Sequence, residues 1–196
     1  MPRVSEQYKE DQRAEILAAA RGCFVRNGFH RTSMQDVFAE AGKSAGAVYR
    51  YFPKKEDLIV GVAAQNLDDV TEVLRTALTH SDGAPGVGQV MAELLEAVIE
   101  RHRDKQLATV ALMVWSEALR NPALAERLEA ATINMSQTMA ALIRERQRVG
   151  TWTGAPADAL AQVILSILPG FLLNLALRGP HGVAAFPDAL RTLWPG

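Results

Sequence analysis

The chain has one cysteine, few aromatic residues and almost no net charge, and each shortage excludes something. Cys23 alone can form neither a disulfide within the chain nor a cysteine-only zinc site. The histidines at 30, 80, 102 and 181 are too scattered for a ligand cluster, so neither a metal nor a cofactor is expected. Lys and Arg number 21 against 22 Asp and Glu, a formal charge of −1, so any anionic partner has to be met by a local patch. There is no nucleophile elbow, phosphate loop or metal-binding His pair. Glu117 with His102 is the pairing left for acid–base chemistry, and the chain is expected not to be an enzyme. No segment alternates apolar and polar residues for long enough to argue a strand. Met1–Lys9 is polar and lacks an apolar run, so no secretory signal is read and a soluble, cytoplasmic protein is expected.

What is present is globular composition: 48% hydrophobic and 22% charged over 196 residues, enough for a sizeable core and one or two domains. The charge is uneven. Residues 1–55 hold ten Lys or Arg and six Asp or Glu, a sum of +4, whereas the remainder sums to −5. A basic N-terminal quarter on an acidic body points to a nucleic-acid reader attached to something else.

Almost every segment has helical periodicity. Ile16, Leu17, Ala20, Cys23 and Phe24 put an apolar stripe on a helix near 7–27, which Asn27-Gly28 ends and which makes Cys23 a core residue. Leu58, Val62, Leu67, Val70, Leu74, Ala77 and Leu78 keep the same period to about His80. Ser81 to Gly86 is the clearest break, and helices follow around 90–98, 107–119 and 122–142. Thr151–Gly154 reads as a loop, and Pro156 can open the next helix. The fold class expected is all-α, divided into an N-terminal domain over 1–55, a connecting helix over 56–80 and a second helical domain over 81–196.

The most informative stretch runs from Thr32 to Phe52. Ser33 with Asp36 has capping-box spacing and starts a helix of about two turns ending at Ala41. Gly42 sits where a sharp turn needs positive φ, and Ser44 can cap a second short helix. Two helices too short to stand alone, beside a longer one, have the arithmetic of a helix-turn-helix whose second helix enters a DNA major groove. Ser44, Ala45 and Gly46 are small enough to let the backbone approach bases or phosphates. Tyr49 and Arg50 follow one turn on with a hydroxyl, a ring and a guanidinium. Lys54 and Lys55, after Pro53, can meet a phosphate at the start of the next helix. Tyr49, Tyr51 and Phe52 can also serve as packing residues; Phe52 is read that way and Tyr49 as a DNA contact.

At this point the sequence resembles a family. Thr32, Ser33, Val37, Ala41, Gly42, Ser44, Gly46, Tyr49, Phe52, Lys55 and Leu58 match, at fixed spacing, the DNA-binding domain of the tetracycline-repressor (TetR) family of bacterial regulators. The resemblance covers about a quarter of the chain, 14–58. It implies a three-helix DNA-binding domain joined to a helical domain for ligand binding and dimerisation. It further implies a homodimer on a palindromic double-stranded DNA operator, usually a repressor released by a small-molecule effector. By the same resemblance Thr32, Ser33 and Lys55 would meet phosphates, and Ser44, Ala45, Gly46 and Tyr49 the groove. Three residues depart from the pattern. Phe38 replaces a small Ala, so the first short helix must sit differently or rest on a reshaped neighbour. Lys43 replaces Val and can reach a phosphate. Tyr51 replaces the commoner His but keeps a ring and a polar tip, and joins the DNA-binding candidates.

Residues 159–177 carry no charge, a length able to span a membrane. Gln162, Ser166, Asn174 and the mid-helix Pro169-Gly170 argue against insertion, and a helix apolar all round can instead be buried by a partner subunit. No membrane association is expected. The resemblance places the dimer interface on helices near 156–178 and 183–194, here with Leu160, Ile164, Ile167, Phe171, Leu175 and Leu190, the first helix bent at Pro169-Gly170. For a partly apolar effector, Met113, Trp115, Met135, Met139 and Phe171 can line an adaptable cavity with His102, Glu117 or Asn174 as polar anchors; residues at such spacing can equally be plain core. The alternatives to a repressor are an activator, or a helical ligand-binding protein that no longer binds DNA.

Overall fold

The computed structural model describes residues 6–79, 86–148 and 154–194. Among the described residues there are nine helices and no strand: α1 (Glu6–Asn27), α2 (Met34–Ala41), α3 (Ala45–Tyr49), α4 (Lys55–Thr79), α5 (Val87–Lys105), α6 (Leu107–Ala118), α7 (Pro122–Arg148), α8 (Ala157–Val183) and α9 (Phe186–Leu193). The break expected at Ser81–Gly86 and the loop at Thr151–Gly154 fall largely outside the described residues; Gly86 caps α5 and Gly154 has φ 114°. The chain forms two compact units that meet at Asn66 and Leu67, inside α4. Residues 56–80, expected as a separate connector, are thus shared between the two units.

The first unit is built around α1. Ile16, Leu17, Ala20, Cys23 and Phe24 are buried on it, and Phe52, Leu58, Ile59 and Val62 are buried with them. The short helices add one fully buried side chain each, Val37 on α2 and Val48 on α3. Their ends are chemically defined. Ser33 Oγ accepts the Asp36 N–H while Asp36 Oδ2 accepts the Ser33 N–H at 2.8 Å, a complete capping box. Those bonds from Ser33 hold the Asp36 carboxyl below its usual range. Gly42 closes α2 at φ 62°, ψ 29°, left-handed geometry that a side chain would oppose although there is open space for one. Ser44 caps α3 through the Ala47 N–H.

The second unit buries one continuous core that includes Val98, Leu107, Ile143, Ala161, Leu172 and Leu175. Helices α5 and α6 meet at Gln106, a left-handed residue with φ 53°. His102 secures that corner: its carbonyl accepts the Gln106 N–H and its ring Nδ1 accepts the Ala108 N–H at 3.1 Å. Helix α9 is fastened to α5 by Arg191, whose guanidinium donates to Gln89 Oε1 at 2.9 Å and pairs with Glu96 at 2.9 Å. Gly88 allows this approach, because a Cβ there would lie 2.4 Å from the Leu190 carbonyl oxygen.

The bend expected at Pro169-Gly170 is not where α8 leaves helical geometry. The dihedrals depart at Gly179 (φ 68°, ψ 178°), just before Pro180. Glycine enters that conformation freely, and the proline then disfavours a helical residue before it. Helix α8 has the length and apolarity of a membrane span, yet Ala157, Ala161, Ile164, Leu168, Phe171, Leu172 and Leu175 along it are buried within the unit, the pattern of a core helix.

Candidate nucleic-acid interface

Helix α3 is anchored by Val48 and turns its other side outward. Ser44, Ala45, Gly46, Tyr49 and Arg50 are all exposed, Tyr49 at 45%. Residues 45, 46, 49 and 50 share one helical face. Nothing lies within 4 Å of the Cβ that Gly46 lacks, so that face is open at backbone level. Arg50 lies with its guanidinium carbon 5.2 Å from the centre of the Tyr51 ring and donates to the Tyr51 hydroxyl at 3.3 Å. The ring of Tyr49 meets the ring of Phe38 edge-on, with centroids 5.2 Å apart and planes at 71°. Phe38 thus rests against Tyr49, a residue that itself matches the family pattern.

Three residues expected at phosphates have partners within the first unit. Thr32 is 1% exposed, and its hydroxyl donates inward to the carbonyls of Gly28 at 2.9 Å and Cys23 at 3.2 Å. Lys43 lies along α1, its ammonium donating to Gln12 Oε1 and Glu15 Oε2 at 2.6 Å each, with its side chain 15% exposed. Lys55 donates to the carbonyls of Phe29 at 3.1 Å and His30 at 3.3 Å and rests 4.6 Å from the centre of the Phe29 ring. Each group completes the frame: Thr32 and Lys55 tie down the turn after α1, and Lys43 ties the α2–α3 turn to α1. Ser33 is half-buried, its hydroxyl engaged in the capping box. Cys23 is buried beneath α2, and burial together with the Glu40 carboxylate pushes its thiol up.

In the second unit, a cavity of about 310 Å³ is lined by Leu95, Ile167, Gly170, Phe171, Phe186, Ala189 and Leu190. Of the eight residues expected to line an effector site, Phe171 is among these. The other seven are placed elsewhere. Met139 is core, and Met113, Trp115, Glu117 and Met135 are half-buried on α6 and α7. Asn174 donates to the Gly170 carbonyl at 2.9 Å on its own helix. His102 is occupied as the cap of α6, and burial pushes its pKa below the ordinary 6.5. The residues expected at the dimer interface differ in exposure. Ile164, Phe171, Leu175 and Leu190 are buried inside their own unit and Leu160 and Ile167 are half-buried, whereas Val163, Leu173 and Leu177 on α8 face outward.

A capped two-helix unit with an exposed second helix, joined to a helical unit, defines a helix-turn-helix regulator. Comparison with known proteins gives the family. Residues 16–62 match the profile of bacterial regulatory proteins of the tetR family, and residues 86–193 match that of the C-terminal part of BetI-type transcriptional repressors. The chain is 29% identical over 183 residues to the HTH-type transcriptional repressor AcnR of Corynebacterium diphtheriae, covering 91% of this chain and 88% of that one. To the HTH-type transcriptional regulator YfiR of Bacillus subtilis it is 28% identical, covering 88% and 84%. Its fold is similar to that of Salmonella enterica GusR, with TM-score 0.76 and 25% identity over 98% and 96% of the two chains. It is similar also to a transcriptional regulator of Saccharomonospora viridis solved in complex with choline, with TM-score 0.75 and 25% identity over 94% and 95%. The chain belongs to the TetR family and is a DNA-binding transcriptional regulator.

Two outcomes follow from these placements. Thr32→Val removes the buried hydroxyl's bonds and should cost about 1 kcal/mol of stability in chemical denaturation. Affinity for DNA should stay unchanged; unchanged stability with weakened DNA binding would return Thr32 to the phosphates. His102 is held neutral in the folded protein, while the unfolded chain takes up a proton near the ordinary value of 6.5. Its contribution to stability is therefore full above pH 6.5 and lost as pH falls through the lower folded value. In His102→Asn, whose Oδ1 can accept the same Ala108 N–H, that part of the pH dependence should vanish from melting curves taken at a series of pH values. An unaltered pH profile in the variant would contradict it.

Proposed function

We propose that the chain is a homodimeric repressor that reads an inverted-repeat operator with α3 and releases it when a small molecule binds the second unit. The observation that carries this reading is the outer face of α3, where Ala45 and Gly46 leave the backbone open and Tyr49 and Arg50 follow one turn on. Lys54, exposed just before α4, adds a positive charge on the same unit. The dimer contact is drawn on the outward side of α8, where Val163, Leu173 and Leu177 are exposed at helical spacing in a stretch without charge. Two such protomers would present their recognition helices about 34–36 Å apart, one turn of DNA. Such a protein acts in the cytoplasm.

The effector is read as largely apolar. The cavity between α5, α8 and α9 has two aromatic rings, Phe171 and Phe186, among otherwise aliphatic and small linings. Choline is what the Saccharomonospora viridis protein holds. Here no carboxylate lines the cavity, so an uncharged ligand suits it better than a cation.

Selection from a random duplex library at two salt concentrations tests the reading of DNA; an enriched inverted repeat is expected, and enrichment of no sequence would contradict it. Gly46→Ala separates recognition from folding. The variant should gain up to about 1 kcal/mol of stability from better helix propensity. It should lose about tenfold in operator affinity, the scale of one lost contact in the groove. Undiminished affinity would mean that the backbone at Gly46 does not approach DNA.

A further inference from the structure

We infer that Phe38 is a positioning residue for DNA recognition: its ring holds the Tyr49 ring on the exposed face of α3 and so sets operator affinity and base preference. The inference rests on the reading of α3 as the DNA-contacting helix.

Phe38 is not the side chain that anchors α2, since Val37 beside it is fully buried and Phe38 only half-buried. Its ring instead crosses from α2 to α3, where it meets Tyr49 edge-to-face at 5.2 Å. That is a favoured aromatic geometry, with the positive edge of one ring on the negative face of the other. Its main chain is fixed as well, because the Phe38 carbonyl accepts the Lys43 N–H at 3.1 Å and so helps close the turn between the two helices. One residue thus ends α2 and supports a side chain of α3. Tyr49 is the last residue of a five-residue helix and is 45% exposed. With a small side chain at 38 its ring would be free to change rotamer, and ordering it on DNA would cost side-chain entropy at the moment of binding. With Phe38 present that ordering is already made in the free protein. The departure of Phe38 from the small residue of the family pattern therefore has a use at the one aromatic side chain presented by the recognition helix.

The test is a double-mutant cycle on the full-length chain, read by fluorescence anisotropy on the duplex that the wild type selects. Phe38→Ala should weaken binding about fivefold, the scale of one aromatic pair. In a Tyr49→Ala background the same change should have no further effect. Selection with Phe38→Ala should relax base preference at the positions that Tyr49→Ala also relaxes. Phe38→Leu keeps apolar bulk without the ring edge, so it should melt like the wild type but bind like Phe38→Ala, while Phe38→Tyr should restore binding. Additive losses, or wild-type affinity in Phe38→Leu, would overturn the inference and leave the DNA-reading proposal standing. Failure of the wild type to select any duplex would overturn both.

Discussion

The recognition helix has five residues, and a helix of that length has no stability of its own in water. The burial of Val48 is the constraint on which the DNA-binding side of this protein depends. Gly42 takes the left-handed turn that lets the chain reverse, and Ser44 satisfies an amide at the start of α3. With one side chain held in the core, the residues at 45, 46, 49 and 50 are turned outward by helical geometry alone. The same arrangement gives α2 its role: Val37 anchors it, its capping box starts it, and its remaining surface is free to support the neighbour.

This economy changes how the basic charge of the N-terminal region should be understood. An excess of lysine and arginine suggests phosphate contacts, but several of these cations hold the frame together. Lys43 joins the turn to α1, Lys55 clasps the carbonyls of Phe29 and His30, and Arg26 pairs with Glu40 across α1 and α2 at 2.6 Å. Of these, Lys55 keeps its place in the family pattern while Lys43 stands where that pattern has Val, and both are held by partners within the first unit. Arg50 and Lys54 are the exposed positions that flank the recognition face.

Much of the fold was legible because its signals are local. The stripe on α1, the capping box at Ser33 and Asp36, the turn glycine at 42 and the cap at Ser44 each involve residues within a few positions, and each appears as read. What was not legible depends on distant partners. Thr32 matches the family pattern, but only the path of the chain past Cys23 and Gly28 shows that its hydroxyl points inward. The charge-free run on α8 reads as helix, but a run apolar on every side carries no phase. Nothing in it distinguishes the inward Ile164 and Leu175 from the outward Val163 and Leu173. The bend read at Pro169-Gly170 lies instead at Gly179, where α8 leaves helical geometry before Pro180. The effector residues are ambiguous for the same reason: methionine and tryptophan at helical spacing describe a core as well as a cavity, and Phe171 lines the described cavity beside Leu95 and Phe186.

The central claim is that α3 is held ready in the free protein by the burial of Val48 in the first unit. Native-state hydrogen exchange tests it most directly, using the amides of Val48, Tyr51 and Phe52, whose bonds to Ser44 and Val48 carbonyls define the helix and its exit. These amides should be protected to the same free energy as those in the middle of α1, opening only when the first unit unfolds. Exchange of the α3 amides near the rate of an unstructured chain, with α1 still protected, would contradict the account and mean that the recognition helix forms only on DNA.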